Sequence, residues 1–177
     1  MKTSRFRLNR LPALLFFAVG LLVFGLRFEV VMVVGNSMEP TFGTSDILLV
    51  DTWAYRNDSI RRGDVLVARR GNELVVKRVV ALPNEDVEIR AGMLVVNSHM
   101  VVEPYPVQEG VLSIGRGHLN SGRYAIVGDN RNLFVQETIF GVVGRQDIVG
   151  RATFSLRPAQ FLTALFGVIA APRDQRQ

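Results

Sequence analysis

The sequence predicts a mainly β protein, an antiparallel β domain preceded by one N-terminal transmembrane helix. Three observations carry that expectation. Leu11 to Leu26, "LPALLFFAVGLLVFGL", is uncharged and apolar and is bounded by Arg10 and Arg27. Behind it, short runs rich in valine and isoleucine recur, punctuated by Gly, Pro, Asn and Asp. No helical periodicity separates them, and many short strands without interleaved helices favour antiparallel sheets over a βαβ arrangement.

The apolar run comes first. At roughly 1.5 Å per residue it covers about 24 Å, slightly short of a hydrocarbon core, and snorkelling of Arg10 and Arg27 extends it. Pro12 suits a first helical turn. A cleaved signal peptide would also have a basic start and an apolar middle, but Arg27, Phe28 and Glu29 follow where a small-residue cleavage site is needed. A retained anchor is the expectation. Lys2, Arg5, Arg7 and Arg10 put the N-terminus in the cytoplasm. Residues 1–27 then form a cytoplasmic tail and anchor, and residues 28–177 an extracytoplasmic domain.

Strands are expected at 30–34, 47–50, 65–68, 74–82, 87–89, 93–96, 101–102, 124–127, 139–143 and 148–154. "AGMLVVNSHMVVEP" reads as a hairpin turning at Asn97–Ser98. Residues 84–123 form a small accessory β insertion, within which the polar, glycine-rich stretch from Pro106 to Arg123 reads as a long loop. Residues 158–171 are expected to form an apolar C-terminal helix, too short to span a bilayer and therefore packed on the domain or lying at the membrane surface.

Composition narrows the chemistry. The chain has 177 residues, no cysteine and two histidines, which removes disulfides and thiol catalysis and leaves no histidine-rich metal site. The net charge of +5 comes entirely from Lys2, Arg5, Arg7, Arg10 and Arg27, because the other 150 residues carry 16 basic and 16 acidic side chains. A nucleic-acid binder would concentrate positive charge on its folded part, so the excess favours a lipid bilayer as partner. Of the 21 basic residues 19 are arginine, and Lys77 is the only lysine beyond the tail. Lysine can lose its proton in a protein and arginine cannot. A chemical need for that property and an arginine-favouring genome both explain the pattern.

Ser37, in "GNSMEPTF", needs a base before its hydroxyl becomes a nucleophile. His99 falls at the expected hairpin turn and His118 in the glycine-rich loop, and both read as solvated loop residues. Lys77, in "LVVKRVVALP", lies within an apolar strand. A lysine working near neutrality needs a pKa about three units below its free value of about 10.4, and desolvation in such a strand acts in that direction. Arg78 is expected on the opposite face of the strand, reaching solvent.

"SMEPTF" (37–42), "GDVLVARR" (63–70), "VVKRVVALPNE" (75–85), "GDNR" (128–131) and "IVGRATF" (148–154), in this order behind an apolar segment, resemble the successive boxes of bacterial type I signal peptidases, the Ser/Lys leader peptidases. The resemblance covers roughly residues 11–156. It implies the signal-peptidase type of β fold, with Ser37 as nucleophile, Lys77 as general base and Met38 packed behind the nucleophile. It also implies that the Ser37 N–H helps hold the oxyanion. Some members carry a serine two residues earlier as a second donor, whereas this chain has Gly35. Members bind the cleavage region as an added strand and prefer small side chains one and three residues before the cut. By position, Val31, Val33, Phe42 and Val76 are candidates for the pocket walls and equally for ordinary core. Asp129 and Asn130 fit either site support or a tight turn. After "GDNR" the family typically continues with a serine that supports the lysine, and Phe134 falls at that position here.

The expected function is therefore a membrane-anchored serine endopeptidase that removes signal peptides from exported preproteins at the outer face of the cytoplasmic membrane, with no cofactor or metal. Three alternatives stay open on sequence alone. One is a specialised peptidase of the same family that matures a pilin or a conjugation protein. Another is an inactive, membrane-tethered β module that only binds exported chains. The third is a Ser/His hydrolase using His118.

Overall fold

The structure, a computed structural model, describes residues 11–132 and 140–158. Helix α1 (Leu11–Arg27) passes directly into β1 (Phe28–Met32), followed by β2 (Ile47–Asp51), β3 (Val65–Arg70) and β4 (Glu73–Ala81). Next come β5 (Asp86–Arg90), β6 (Met93–Val96), β7 (His99–Met100), β8 (Ile114–His118) and β9 (Arg123–Val127). β10 (Gly141–Gly144), one 3-10 turn and β11 (Ile148–Leu156) complete the described chain. Seven strands form one antiparallel sheet in the order β1-β2-β11-β3-β4-β9-β10, and four form a second in the order β7-β6-β5-β8. The expected mainly antiparallel β architecture is what the chain adopts.

No helix among the described residues is long and apolar enough to cross a membrane. The segment expected to span a membrane does form a helix, α1, but its 17 residues reach only about 26 Å against a hydrocarbon core of about 30 Å. Its end is fastened to the sheet. Arg27 Nη2 donates to Asp51 Oδ2 at 2.6 Å, and both the backbone N–H and the hydroxyl of Thr52 donate to the Arg27 carbonyl.

Several boundaries differ from expectation. β1 starts at Phe28 because the chain leaves the helix as a strand. Val33 then exchanges backbone hydrogen bonds with Ser45 and Asp46, closing the loop that carries Ser37. The hairpin turns at Asn97–Ser98 as expected, with φ of 50° and 68°, the left-handed pair that a two-residue hairpin turn requires. β7 is His99–Met100 rather than 101–102, since Pro104 and Pro106 cannot extend a ladder. β8 was hidden in the expected loop: "IGRGH" has no apolar alternation because, as an edge strand on β5, it buries almost nothing. The expected helix at 158–171 lies outside the described residues, apart from Pro158.

The core lies in three clusters. Leu48, Val50, Val67 and Val33 pack beneath the Ser37 loop. Leu66, Val79, Ile126 and Val143 pack with Tyr55 and Ile60 from the β2–β3 connection. Val80, Ala125 and Val127 of the large sheet pack with Val87, Ile89 and Leu94 of the small one and with Leu112 from the β7–β8 connection, so the two sheets share apolar core.

Candidate active site

Ser37 projects from the loop between β1 and β2, and fixed points hold that loop from several sides. Phe42 N–H donates to the Met38 carbonyl at 2.9 Å, and Gly43 N–H to Asp46 Oδ2 at 2.9 Å. Arg157 pairs with Asp46 and donates to the Thr41 carbonyl at 3.0 Å. Gly35 has φ of +94°, a backbone state that glycine adopts without a Cβ penalty. Met38 is buried, so the residue after Ser37 anchors the loop in the interior.

Lys77 lies on β4 and is 3% exposed. Its Nζ is 2.6 Å from Ser37 Oγ and 2.9 Å from the Val76 carbonyl. Burial pushes the lysine down to about 8, and the carboxylate of Asp129, the smaller influence, pulls the other way. A lysine that is substantially neutral just above pH 8, with its amine on a serine hydroxyl, can take that hydroxyl's proton.

Arg78 does not reach solvent as expected. It is 6% exposed and forms a two-pronged pair with Asp129, Nε to Oδ1 at 2.8 Å and Nη2 to Oδ2 at 2.6 Å. Thr41 donates to the same carboxylate at 2.5 Å, and Arg78 Nη1 donates to the Gly63 carbonyl at 2.8 Å. Desolvating both charges is costly unless their remaining hydrogen-bonding positions are filled, and here they are. Asn130 contributes its backbone N–H to the Ser37 carbonyl at 3.1 Å and its Nδ2 to the Asn36 carbonyl at 3.2 Å. Asp129 and Asn130 thus belong both to a turn and to the support of Ser37.

A groove of about 590 Å³ runs up to the Ser37–Lys77 pair. Residues 31–38 line one side and residues 73–77 the other, so Val31, Val33 and Val76 all face it. Phe42 does not, because it packs against the cluster beneath the loop. His99 and His118 lie apart from the groove, His99 bonded to the Asn97 carbonyl and His118 to Asp86. Phe134 lies outside the described residues.

Sequence reasoning missed Thr41, Arg78 and Arg131 as supports. Arg131 is fully buried and donates to the Gly128 carbonyl at 2.7 Å. The one available signal was Arg78 and Arg131 standing in otherwise apolar or turn-forming motifs.

Residues 8–157 match the family model described as signal peptidase, peptidase S26. The chain is 31% identical over 140 residues to a signal peptidase I of Leptolyngbya laminosa, covering 73% of this chain and 69% of that protein. It is 30% identical over 125 residues to a probable signal peptidase I-2 of Synechocystis, covering 66% and 57% respectively. It is also 29% identical over 155 residues to signal peptidase I U of Bacillus subtilis, covering 79% and 83%. With a serine and a buried lysine paired at the head of an apolar groove and a family match over nearly the whole described chain, this protein belongs to the signal peptidase family, peptidase S26.

Proposed function

We propose that this chain is a membrane-anchored serine endopeptidase in which Ser37 and Lys77 cleave signal peptides from exported preproteins at the outer face of the cytoplasmic membrane. The observation that carries the reading is the 2.6 Å approach of Lys77 Nζ to Ser37 Oγ inside a largely desolvated setting. Neutral Lys77 takes the hydroxyl proton as Oγ attacks the scissile carbonyl. The Ser37 N–H stabilises the negative charge that forms on the carbonyl oxygen. The lysine ammonium then protonates the departing amine, leaving an acyl-enzyme. Neutral again, Lys77 activates the water that hydrolyses it.

The groove supports binding of the cleavage region in extended form. Its two walls run parallel with Ser37 and Lys77 at the same end, so a strand laid between them finds backbone partners and places alternate side chains against Val31, Val33 and Val76. Such apolar walls accept small side chains and give a charged one no partner.

Two features support the membrane. The α1 stretch from Leu11 to Leu26 is uncharged and apolar and is bounded in sequence by Arg10 and Arg27. Beyond it, cross-strand rows Val30–Leu49–Phe154 and Met32–Ile47–Leu156 line one face of β1, β2 and β11. Val30, Met32, Phe154 and Leu156 are 70%, 62%, 63% and 46% exposed, an apolar patch adjoining the helix and suited to lipid. In this reading residues 1–27 are tail and anchor, residues 28–177 the outer domain, and residues 84–123 its accessory subdomain.

The test is cleavage of a preprotein by detergent-solubilised enzyme. Ser37→Ala and Lys77→Arg are each expected to abolish it while His118→Ala retains it. Turnover by Lys77→Arg would remove the mechanism, and binding without cleavage by the native chain would leave a binding module.

A further inference from the structure

The stretch between β7 and β8 does more than connect two strands. Residues 103–112 lie across the turn that follows β9. Gln108 N–H donates to the Asp129 carbonyl and Arg131 N–H to the Gln108 carbonyl, both at 2.9 Å, and Leu112 N–H donates to the Arg131 carbonyl at 3.2 Å. Gly110 sits so close to the Arg131 backbone that a Cβ there would collide with it. Two side chains complete the contact. The Tyr105 ring stacks on the Arg78 guanidinium, 3.9 Å from ring centroid to Cζ, and its hydroxyl donates to Glu103 Oε1 at 2.7 Å. Glu103 Oε1 also accepts from Arg131 Nη2 at 2.8 Å.

We propose that Tyr105 and Glu103 are positioning residues for the reaction: this strap clamps the Arg78–Asp129 pair and the Gly128–Arg131 turn, and through them fixes Ser37 relative to Lys77. The proposal rests on the Ser37/Lys77 reading above. The chain of contacts is continuous. Tyr105 covers Arg78, Arg78 holds Asp129, Asp129 accepts from Thr41 of the nucleophile loop, and the next residue, Asn130, binds the Ser37 carbonyl. Glu103 acts on the same turn from its other end, because Arg131 binds the Gly128 carbonyl and Gly128 touches Ser37. A cation over an aromatic face gains most when both are desolvated, and here Arg78 is buried and the tyrosine partly so. The clamp also has an electrostatic consequence. Asp129 is the carboxylate acting on Lys77, and Arg78 is the cation that offsets it. Around the same turn Glu103 and Arg131 neutralise each other. Loosening Arg78 leaves more of the Asp129 charge to favour the lysine ammonium.

The experiment measures kcat, KM and the pH dependence of kcat/KM for preprotein cleavage, with thermal melts to report folding. Tyr105→Leu keeps an apolar plug but removes the ring face. It is expected to lower kcat about tenfold with KM nearly unchanged, the order expected when a contact that orients a reacting group is lost. Its rising pH limb should move to higher pH. Tyr105→Phe keeps the stacked ring and should restore the limb. Glu103→Gln should lower kcat less, again without raising KM. A Tyr105→Leu protein that melts earlier yet keeps the native kcat and pH limb would overturn the proposal by reducing the strap to scaffolding. If Tyr105→Leu does not fold, Glu103→Gln decides, and a native kcat there overturns it. Lys77→Arg in the same assay separates the two ideas. Residual turnover there defeats the Ser/Lys mechanism, whereas a dead Lys77→Arg beside an unaffected Tyr105→Leu defeats only the clamp.

Discussion

Lys77, in the proposed mechanism, illustrates how one side chain can be costly to the fold and necessary to the chemistry. Its ammonium is penalised by burial, which lowers its pKa from 10.5 to about 8. Two predictions follow from the sign of that shift. The rising limb of kcat/KM should report a free-enzyme pKa near 8, because only neutral Lys77 can accept the Ser37 proton. A limb near the free-lysine value would show that the amine is solvated in the working enzyme. The second concerns stability. Below pH 8 the lysine is charged in both folded and unfolded chains, and the folded state bears the full desolvation cost. As pH rises from about 8 to 10.5 the unfolded chain binds the extra proton, so native stability recovers across that window. Lys77→Met should therefore be more stable than the native protein at pH 6–7, by on the order of 3 kcal/mol at about 1.4 kcal/mol per pKa unit. That advantage should shrink as pH approaches 10.5. Denaturant melts at several pH values check this, and a gain that does not vary with pH would mean that packing, not charge, is responsible. Lys77 was legible in the sequence because it is the one lysine beyond the N-terminal tail, where arginine is the rule. Arg78 was misread because strand alternation says which face a residue takes, not whether a carboxylate 51 residues away waits there.

The strands and turns set the tolerances of the site. β9 ends where Gly128 passes the nucleophile, and a Cβ on Gly128 would run into the Ser37 carbonyl. The obstacle is backbone, which cannot rotate aside as a flexible side chain could. Gly128→Ala is therefore expected to displace Ser37 and lower kcat by about a hundredfold or more, the scale of loss for an ångström-sized misplacement. Steady-state kinetics beside a circular-dichroism spectrum would test this, and near-native kcat would mean that the turn has slack. Glycine in "GDNR" could be read as a turn residue from sequence, but the surface it approaches could not, since Ser37 arrives from the far end of the chain. Runs such as "ELVVKRVVA" announced themselves because both faces of β4 are covered. "IGRGH" did not, because an exposed edge strand is specified by its neighbour's hydrogen bonds rather than by its own apolar pattern.

At the scale of the whole molecule, the apolar helix leads into β1, and Val30, Met32, Phe154 and Leu156 stand exposed on one face of β1, β2 and β11 beyond the Arg27–Asp51 pair. Removing residues 1–27 should weaken association with phospholipid vesicles without abolishing it, and adding Val30→Glu and Phe154→Glu to the truncated chain should abolish what remains. Cosedimentation checks this, and complete release by truncation alone would show that the sheet face has no lipid role. The direct passage from α1 into β1 has one more effect. α1 gives way to β1 with no intervening loop, and Arg27 at the junction is bound to Asp51 and Thr52. Ser37 is at most roughly 35 Å of extended chain from the end of the helix. In the anchored arrangement proposed above, the site would act as a ruler as well as a cutter, and a suitable side chain presented at the wrong height above the bilayer is expected to go uncut.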